Sequence, residues 1–253
     1  MDAPWISVVI PTYNEAPVIA ATIAAVGERI EREGRAAEIL VVDNGSSDGT
    51  AAAVRALGRD DVRVLENGAN FGKGFSVRRG MLKARGELRL QCDADCVPSL
   101  ASLDALLAAA ESADVVIGSR LAPGAEVVTQ PLHRRLAGAA FLRMSKAVMR
   151  EPARDVYCGF KLWRATAAEA VYSRAQLDGW VFDAETLALA RRLGFRMVEV
   201  GIVWVNRPGS RLSMRQMLVR ALPELLGARL SVRRELRRPA ADGATAVEAS
   251  ARG

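Results

Sequence analysis

Leu88-Arg89-Leu90-Gln91-Cys92-Asp93-Ala94-Asp95-Cys96-Val97-Pro98 is the stretch whose reading decides the fold. Its first half reads as a short buried strand, and its second as an Asp-x-Asp pair followed by a breaker. On an extended backbone residues i and i+2 point the same way, so Asp93 and Asp95 can aim both carboxylates at one point off the strand's end. Two such carboxylates repel unless a cation or a shared proton lies between them. Hard oxygen donors suit Mg²⁺ or Mn²⁺, which need only one or two protein carboxylates when substrate phosphates supply the rest. Standing alone, such a pair is more often a polar loop with one Asp capping the next helix. The surrounding sequence reverses those odds.

Working outward, the apolar run at 5–10 ends at Pro11 and predicts a strand, with Pro11-Thr12-Tyr13-Asn14-Glu15 as a turn and a helix over 18–30. A second strand is expected at 38–43, closed by Asn44-Gly45-Ser46-Ser47-Asp48-Gly49, with Asp48 able to cap a helix over 50–57. A strand at 62–65, a helix at 73–84, the strand at 88–92, a helix at 99–111 capped by Ser99 and a strand at 115–117 follow. Strands without alternation, interleaved with helices of about 10–15 residues, predict βαβ units and a mostly parallel sheet. Ligands of such sheets collect at the carboxyl ends of strands. Those ends hold residues 11–15, Asp43, Asp93, Asp95 and Arg120. The first strand-to-helix turn contains no glycine, so a G-x-G-x-x-G dinucleotide cradle is missing, and no P-loop motif occurs. Asn70-Phe71-Gly72-Lys73-Gly74 matches neither motif; its glycines permit close backbone approach to a ligand, or it is an ordinary loop before a helix.

Beyond Arg120 the pattern predicts a basic amphipathic helix over 131–150 and a strand over 157–163. A helix running from the 180–185 stretch to 193, a strand over 196–204 and a loop over 206–211 follow. From Met214 apolar residues recur at helical spacing, then Arg229, Arg233, Arg234, Arg237 and Arg238 follow; Pro223 suggests a break between two short helices. This segment can pack on the domain or lie in the interface of an anionic leaflet. The expected organisation is one α/β domain over 1–212, a C-terminal amphipathic basic segment over 213–238 and a disordered tail over 239–253.

Composition sets the outer bounds. Half of the 253 residues are apolar, ample for a core, and the net charge of +6 favours an anionic partner. Aromatic residues make up only 5% and are not interleaved with the basic ones, which argues against nucleic acid. Three cysteines, an odd and small number, argue against a disulfide framework and for a reducing compartment, and a single histidine makes a zinc site improbable. The start lacks a basic n-region and no apolar run reaches spanning length, so the expected location is cytoplasmic, peripheral on the membrane's cytoplasmic face.

Several stretches in order carry a resemblance: Val8-Val9-Ile10-Pro11-Thr12-Tyr13-Asn14-Glu15, Val41-Val42-Asp43-Asn44-Gly45-Ser46-Ser47-Asp48-Gly49-Thr50, Asp93-Ala94-Asp95 and Gly118-Ser119-Arg120. Together they resemble GT-A glycosyltransferases of family 2. Asp155-Val156-Tyr157-Cys158-Gly159-Phe160-Lys161-Leu162, Trp180-Val181-Phe182-Asp183-Ala184-Glu185 and Gly209-Ser210-Arg211-Leu212 look like the dolichyl- or polyprenyl-phosphate hexose synthase branch. The resemblance implies an inverting transfer of a hexose from a nucleotide-diphosphate sugar, UDP-glucose or GDP-mannose, to a polyprenyl or dolichyl phosphate. It places Pro11, Tyr13, Glu15, Asp43, Lys73 and Asp93 on the donor, and Asp95 with Asp93 on Mg²⁺ or Mn²⁺. Arg120, Arg207 and Arg211 would meet the acceptor phosphate. Where mannosyl members often place a metal-holding Gln, this chain has Val97, and its Cys-Gly-Phe-Lys run is closer to glucosyl members.

Bland readings stand beside these. Arg120 can be a structural ion pair, and Arg207 and Arg211 a solvated basic loop. Asp183 and Glu185 can be helix N-terminal acids favoured by the dipole, or a base for a sugar acceptor; Glu185, shaping the acceptor site, is expected in the catalytic set with Asp93, Asp95 and Arg120. Trp180 is more often core than a sugar platform, and Lys161 with Asp155 can form a strand-edge ion pair. Two rival functions remain at this level: a family 2 enzyme with a sugar or polysaccharide hydroxyl acceptor, and a non-catalytic nucleotide-sugar- or nucleic-acid-binding module.

Overall fold

A computed structural model of the chain describes residues 3–128, 132–205 and 214–235. Its first half alternates strand and helix: β1 (Ile6–Thr12), α1 (Ala16–Glu31), β2 (Ala37–Asp43), α2 (Thr50–Arg55), β3 (Val62–Glu66), α3 (Lys73–Lys83) and β4 (Leu88–Cys92). A 3₁₀ turn (Val97–Ser102), α4 (Leu103–Ala110), β5 (Val115–Ser119), β6 (Glu126–Val128) and α5 (Leu132–Met149) follow. The chain then runs through β7 (Phe160–Arg164), α6 (Ala165–Tyr172), α7 (Phe182–Arg192), β8 (Met197–Gly201), β9 (Val203–Val205) and α8 (Met214–Glu235).

Seven strands make one sheet in the order β3-β2-β1-β4-β7-β5-β8, parallel except for β7, which pairs antiparallel with both β4 and β5. Both faces are covered. Ile6, Val8 and Ile10 of β1 meet Ile19, Ile23 and Val26 of α1, while Val9 meets Val77 and Met81 of α3 on the other side. That double coverage is why the strands read as unbroken apolar runs. The strand order reverses at β1: the chain leaves it for β2 on one side and returns with β4 on the other. A crevice at such a reversal is where parallel α/β sheets bind ligands.

Four local readings are corrected. β1 continues through Pro11 to Thr12. β4 pairs with β1 only as far as Val9↔Gln91, so Pro11 lies where one ladder has already ended and its missing N–H is tolerated. Ser99 caps no helix; it lies in the 3₁₀ turn, and its hydroxyl donates to the Val203 carbonyl at 2.9 Å, tying the turn to β9. The expected strand over 196–204 splits at Ile202, because β8 joins the main sheet while β9 pairs with the short β6.

Finally, α8 is one continuous helix with Pro223 inside it. An interior proline costs about 3 kcal/mol. Burial of Leu225, Ala228 and Val232 against a core shared with α5 and α7 offsets that cost. The opposite side of α8 exposes Leu222, Leu226 and Leu230, about half accessible each. Among the described residues no helix is long and apolar enough to cross a membrane. Arg207, Arg211 and the expected tail over 239–253 lie outside the described residues.

Candidate active site

Strand register brings the predicted acids level with one another. Thr12 at the end of β1 pairs with Asp43 at the end of β2, and Val9 pairs with Gln91, so Asp93 and Asp95 follow at the same height on the other side of β1. Two strand spacings separate Asp43 from the Asp93 loop, about 10 Å. Pro11, Tyr13 and Glu15 lie between them; Tyr13 is exposed and Pro11 and Glu15 are half-buried.

The turn after β1 is tightly braced. Asn14 adopts a left-handed backbone (φ 55°), its N–H donates to Ser46 Oγ at 2.8 Å, and its Oδ1 accepts from Ser47 N–H at 2.8 Å. The Glu15 N–H donates to Thr50 Oγ1 at 2.9 Å. Asp48 accepts from the backbone of Ala16 and of Thr50, both at 3.0 Å, so one carboxylate serves the starts of α1 and α2. The formal cap of α2 is Gly49, whose φ of 87° suits a residue without a Cβ. Asp43 accepts from Ser46 N–H through Oδ2, while its Oδ1 is buried without a partner.

The Asp93 loop is a closed turn. Cys96 N–H donates to Asp93 O at 3.0 Å, and Thr22 Oγ1 of α1 donates to Ala94 O at 2.6 Å. Cys92 and Cys96, both buried, are joined by a disulfide across this turn, with Cα atoms 5.9 Å apart. The cysteine count argued against disulfides; a bridge between residues four apart needs only a local turn, which a count does not register. Cys158 is free and buried, and burial pushes its thiol up to about 12, which leaves it inert as a nucleophile at neutral pH.

Lys73, the first residue of α3, reaches this turn. Its Nζ donates to Asp93 Oδ2 at 2.7 Å and lies 5.5 Å from the centre of the Trp180 ring. Burial opposes its charge, yet Asp93, Asp183 and Asp95 together raise its pKa above the usual lysine value. Trp180 is 52% exposed, so it belongs to the rim of the site rather than the core. The loop before Lys73 is fastened by asparagines: Asn44 Nδ2 donates to Asn70 Oδ1 at 2.9 Å, and Asn44 Oδ1 accepts from Asn67 and from Phe71 N–H, both at 3.1 Å. A Cβ at Gly72 or Gly74 would overlap the Leu177–Asp178 backbone, so these glycines serve a close approach between two loops.

From the other side comes the connection into β7. Asp93 N–H donates to Gly159 O at 3.1 Å, and any side chain at Gly159 would run into the Asp93 carboxylate. Lys161 is fully buried; its Nζ donates to Asp183 Oδ1 and to Cys158 O, each at 2.5 Å. Gln91 Nε2 also donates to Asp183 Oδ1, and its Oε1 accepts from Tyr172. A buried polar chain therefore underlies the 158–159 segment that touches Asp93. Sequence reasoning missed Gly159 and this chain, because its members sit up to 92 positions apart.

Two residues, Asp155 and Glu185, depart from expectation. Asp155 pairs with Arg120, not Lys161: Arg120 Nε and Nη2 meet its two carboxylate oxygens at 2.7 and 2.8 Å, and the Arg120 N–H donates to it at 3.0 Å. Burial opposes the Arg120 charge, but Asp155 outweighs it and Asp93 adds to the pull, holding the pKa above the ordinary arginine value. The ion-pair reading of Arg120 thus describes its contacts. Glu185, expected in the catalytic set, is fully buried, and its Oε2 accepts from Gln176 and Leu177 N–H at 3.0 and 2.8 Å. Burial raises its pKa against those bonds. It fastens the turn ahead of α7 and presents no carboxylate to solvent.

The donor set fits a hard divalent cation. Asp93 Oδ1 is buried without a hydrogen-bond partner, and Asp95 follows two positions on. Among the described residues no group of three or more His, Cys, Asp or Glu converges on one point. Such a site suits an ion whose remaining ligands come from phosphate and water.

A doubly covered, mostly parallel sheet with acids at its reversal point and an Asp-x-Asp turn beyond β4 is the architecture of the GT-A fold. The Glycosyl transferase family 2 model matches residues 7–178, and the chain belongs to that family. It is 33% identical over 227 residues to a dolichyl-phosphate beta-glucosyltransferase of Drosophila melanogaster, covering 82% of this chain and 69% of that one. The Homo sapiens protein of the same description is 30% identical with the same coverage. In fold the chain matches glucosyl-3-phosphoglycerate synthase from Mycobacterium tuberculosis, solved with Mn²⁺, UDP-glucose and phosphoglyceric acid. That match has a TM-score of 0.65 at 19% identity and covers 88% of this chain and 80% of that one.

Proposed function

We propose that the chain moves glucose from UDP-glucose to a dolichyl or polyprenyl phosphate, with inversion at the sugar carbon, on the cytoplasmic face of a membrane. The observation that carries this reading is the level placement of Pro11–Glu15, Asp43 and the Asp93–Asp95 turn across three strand ends, with Lys73 among them. The names of the dolichyl-phosphate relatives support the acceptor and the glucosyl choice over mannosyl.

In this reading Pro11, Tyr13, Glu15 and Asp43 hold the base and ribose, with the unpartnered Asp43 Oδ1 as acceptor for a donor hydroxyl or N–H. Asp93 and Asp95 would hold Mg²⁺ or Mn²⁺, which as a Lewis acid would offset charge on the leaving nucleotide. A phosphate monoester has a second pKa of about 6, so the acceptor is already largely ionised at neutral pH and needs no general base. That fits a Glu185 turned to backbone N–H groups. The acceptor does need orientation beside a diphosphate of like charge, a task for guanidinium groups. Arg120, fixed by Asp155, is one; the same task is assigned to Arg207 and Arg211, which lie outside the described residues.

The lipid requires access to a bilayer. The exposed Leu222, Leu226 and Leu230 repeat every fourth residue along α8, and the exposed Arg233 and Arg234 follow on the same helix. Such a face lies on an anionic leaflet while the opposite face stays in the core. Calorimetric titration with UDP-glucose and GDP-mannose, with and without Mn²⁺, tests the donor. UDP-glucose is expected to bind more tightly with Mn²⁺; a preference for GDP-mannose overturns the glucosyl reading.

A further inference from the structure

Lys73 stands in an electrostatically odd place. It opens an 11-residue helix whose first turn has no acidic residue, at the end where the helix dipole disfavours a cation. What holds it there is Asp93, through the 2.7 Å bond to Oδ2, with Asp95 and Asp183 in Coulombic reach. Asp183 is itself engaged by Lys161. These five groups sum to two ammoniums and three carboxylates, one net negative charge. A divalent cation arriving alone would turn the cluster positive and compete with an ammonium already seated on Asp93. A cation arriving with a nucleotide diphosphate would not, because the phosphates offer Lys73 a second anion. Lysine suits such a transfer, as a compact charge on a flexible four-carbon stem, and the Trp180 face near its Nζ gives the ammonium a favourable surface on the way.

We propose that Lys73 is a resident stand-in for the metal: it neutralises Asp93 until the donor diphosphate draws it away, so that divalent cation and nucleotide load together. The proposal rests on the reading of Asp93 and Asp95 as a metal and diphosphate site. It makes Lys73 a residue that sets the order of loading, beyond a simple donor contact. The other half of the Asp93 carboxylate, Oδ1, is buried and makes no hydrogen bond, so it has a lone pair left for a cation. Displacing one bond, rather than rebuilding the turn, is then all that loading asks of the protein.

The test is Mn²⁺ binding followed by electron paramagnetic resonance of the free ion, alone and with saturating UDP, on the wild-type chain and on Lys73→Met and Lys73→Gln. Thermal melts confirm that the variants are folded. In the wild type Mn²⁺ alone is expected to bind weakly, and UDP to tighten it strongly. Removing the competing charge should tighten binding of Mn²⁺ alone by about tenfold in both variants, and should shrink the gain that UDP confers. Equal or weaker Mn²⁺ binding in both folded variants, with the UDP gain unchanged, overturns the stand-in role while leaving the metal site intact. A wild type that binds no Mn²⁺ even with UDP bound overturns the stand-in role and the metal reading together.

Discussion

Gly159→Ala is the most economical probe of the site, because it changes no charge and touches one group. The added Cβ would overlap Asp93 Oδ2 and Cγ, and even the farther oxygen, Oδ1, would sit 2.6 Å away. Ordinary contact begins near 3.4 Å and Oδ2 would sit at 1.9 Å, so the carboxylate must retreat by about 1.5 Å at Oδ2 and about 0.8 Å at Oδ1. It cannot simply be carried off with its loop, since Asp93 N–H is bonded to Gly159 O and Thr22 pins Ala94 O. A misplacement of about 1 Å at a reacting centre costs on the order of 10²-fold in rate. Glucosyl transfer should therefore fall by about 10²-fold, with weaker Mn²⁺–UDP binding. The far-ultraviolet circular dichroism should stay that of the wild type. Steady-state transfer assays and Mn²⁺ titrations measure both. Activity within twofold of wild type, in a correctly folded variant, would refute the claim that the Asp93 carboxylate position matters.

Glu185→Gln should keep transfer within a few fold, since the amide oxygen can still accept from Gln176 and Leu177 N–H; a loss in the 10²–10⁴ range expected of a general base would restore Glu185 to the catalytic set. Glu38 is buried, which by itself would raise its pKa, but bonds from Ser7 and from the Arg85 backbone and side chain bring it below the usual value. Its contribution is present above the unfolded pKa of about 4.3 and is lost as pH falls through the lower folded value. Between pH 6 and 3, on the order of these pKa values, the melting temperature of Glu38→Gln should therefore fall less steeply than that of wild type; parallel curves would contradict this. Intact mass measured without reductant should be lighter than the reduced chain by two hydrogens, the mark of Cys92–Cys96; identical masses would return both cysteines to thiols. Replacing Leu222, Leu226 and Leu230 together by Gln removes about 1 kcal/mol of half-buried apolar transfer per residue. Binding to anionic vesicles should drop by about 10²-fold with little change in melting temperature. A strong fall in melting temperature would instead place these leucines in a protein interface.

The sheet was legible because its strands are covered on both faces and so stand out as short apolar runs between helices, β4 to the residue. The acids at strand ends were legible for a related reason: register forces whatever follows β1, β2 and β4 to one rim. Partners were not. Asp155 and Lys161 sit six positions apart and invited pairing, yet Asp155 turns to Arg120 and Lys161 to Asp183 across β7. Glu185 sits in the first turn of α7, where an exposed acid and a buried one look alike in sequence. The β6–β9 pair escaped notice because three residues show no period. Pro223 misled because propensity ignores the packing of Leu225, Ala228 and Val232, which keeps α8 whole.

The most direct measurement is transfer itself: purified chain, Mn²⁺, radiolabelled UDP-glucose and a polyprenyl phosphate in mixed micelles, with the organic phase counted. The wild type is expected to form an acid-labile glucolipid that is lost in Asp95→Asn. Label that stays with the nucleotide, or passes to soluble sugars but never to lipid, would contradict it.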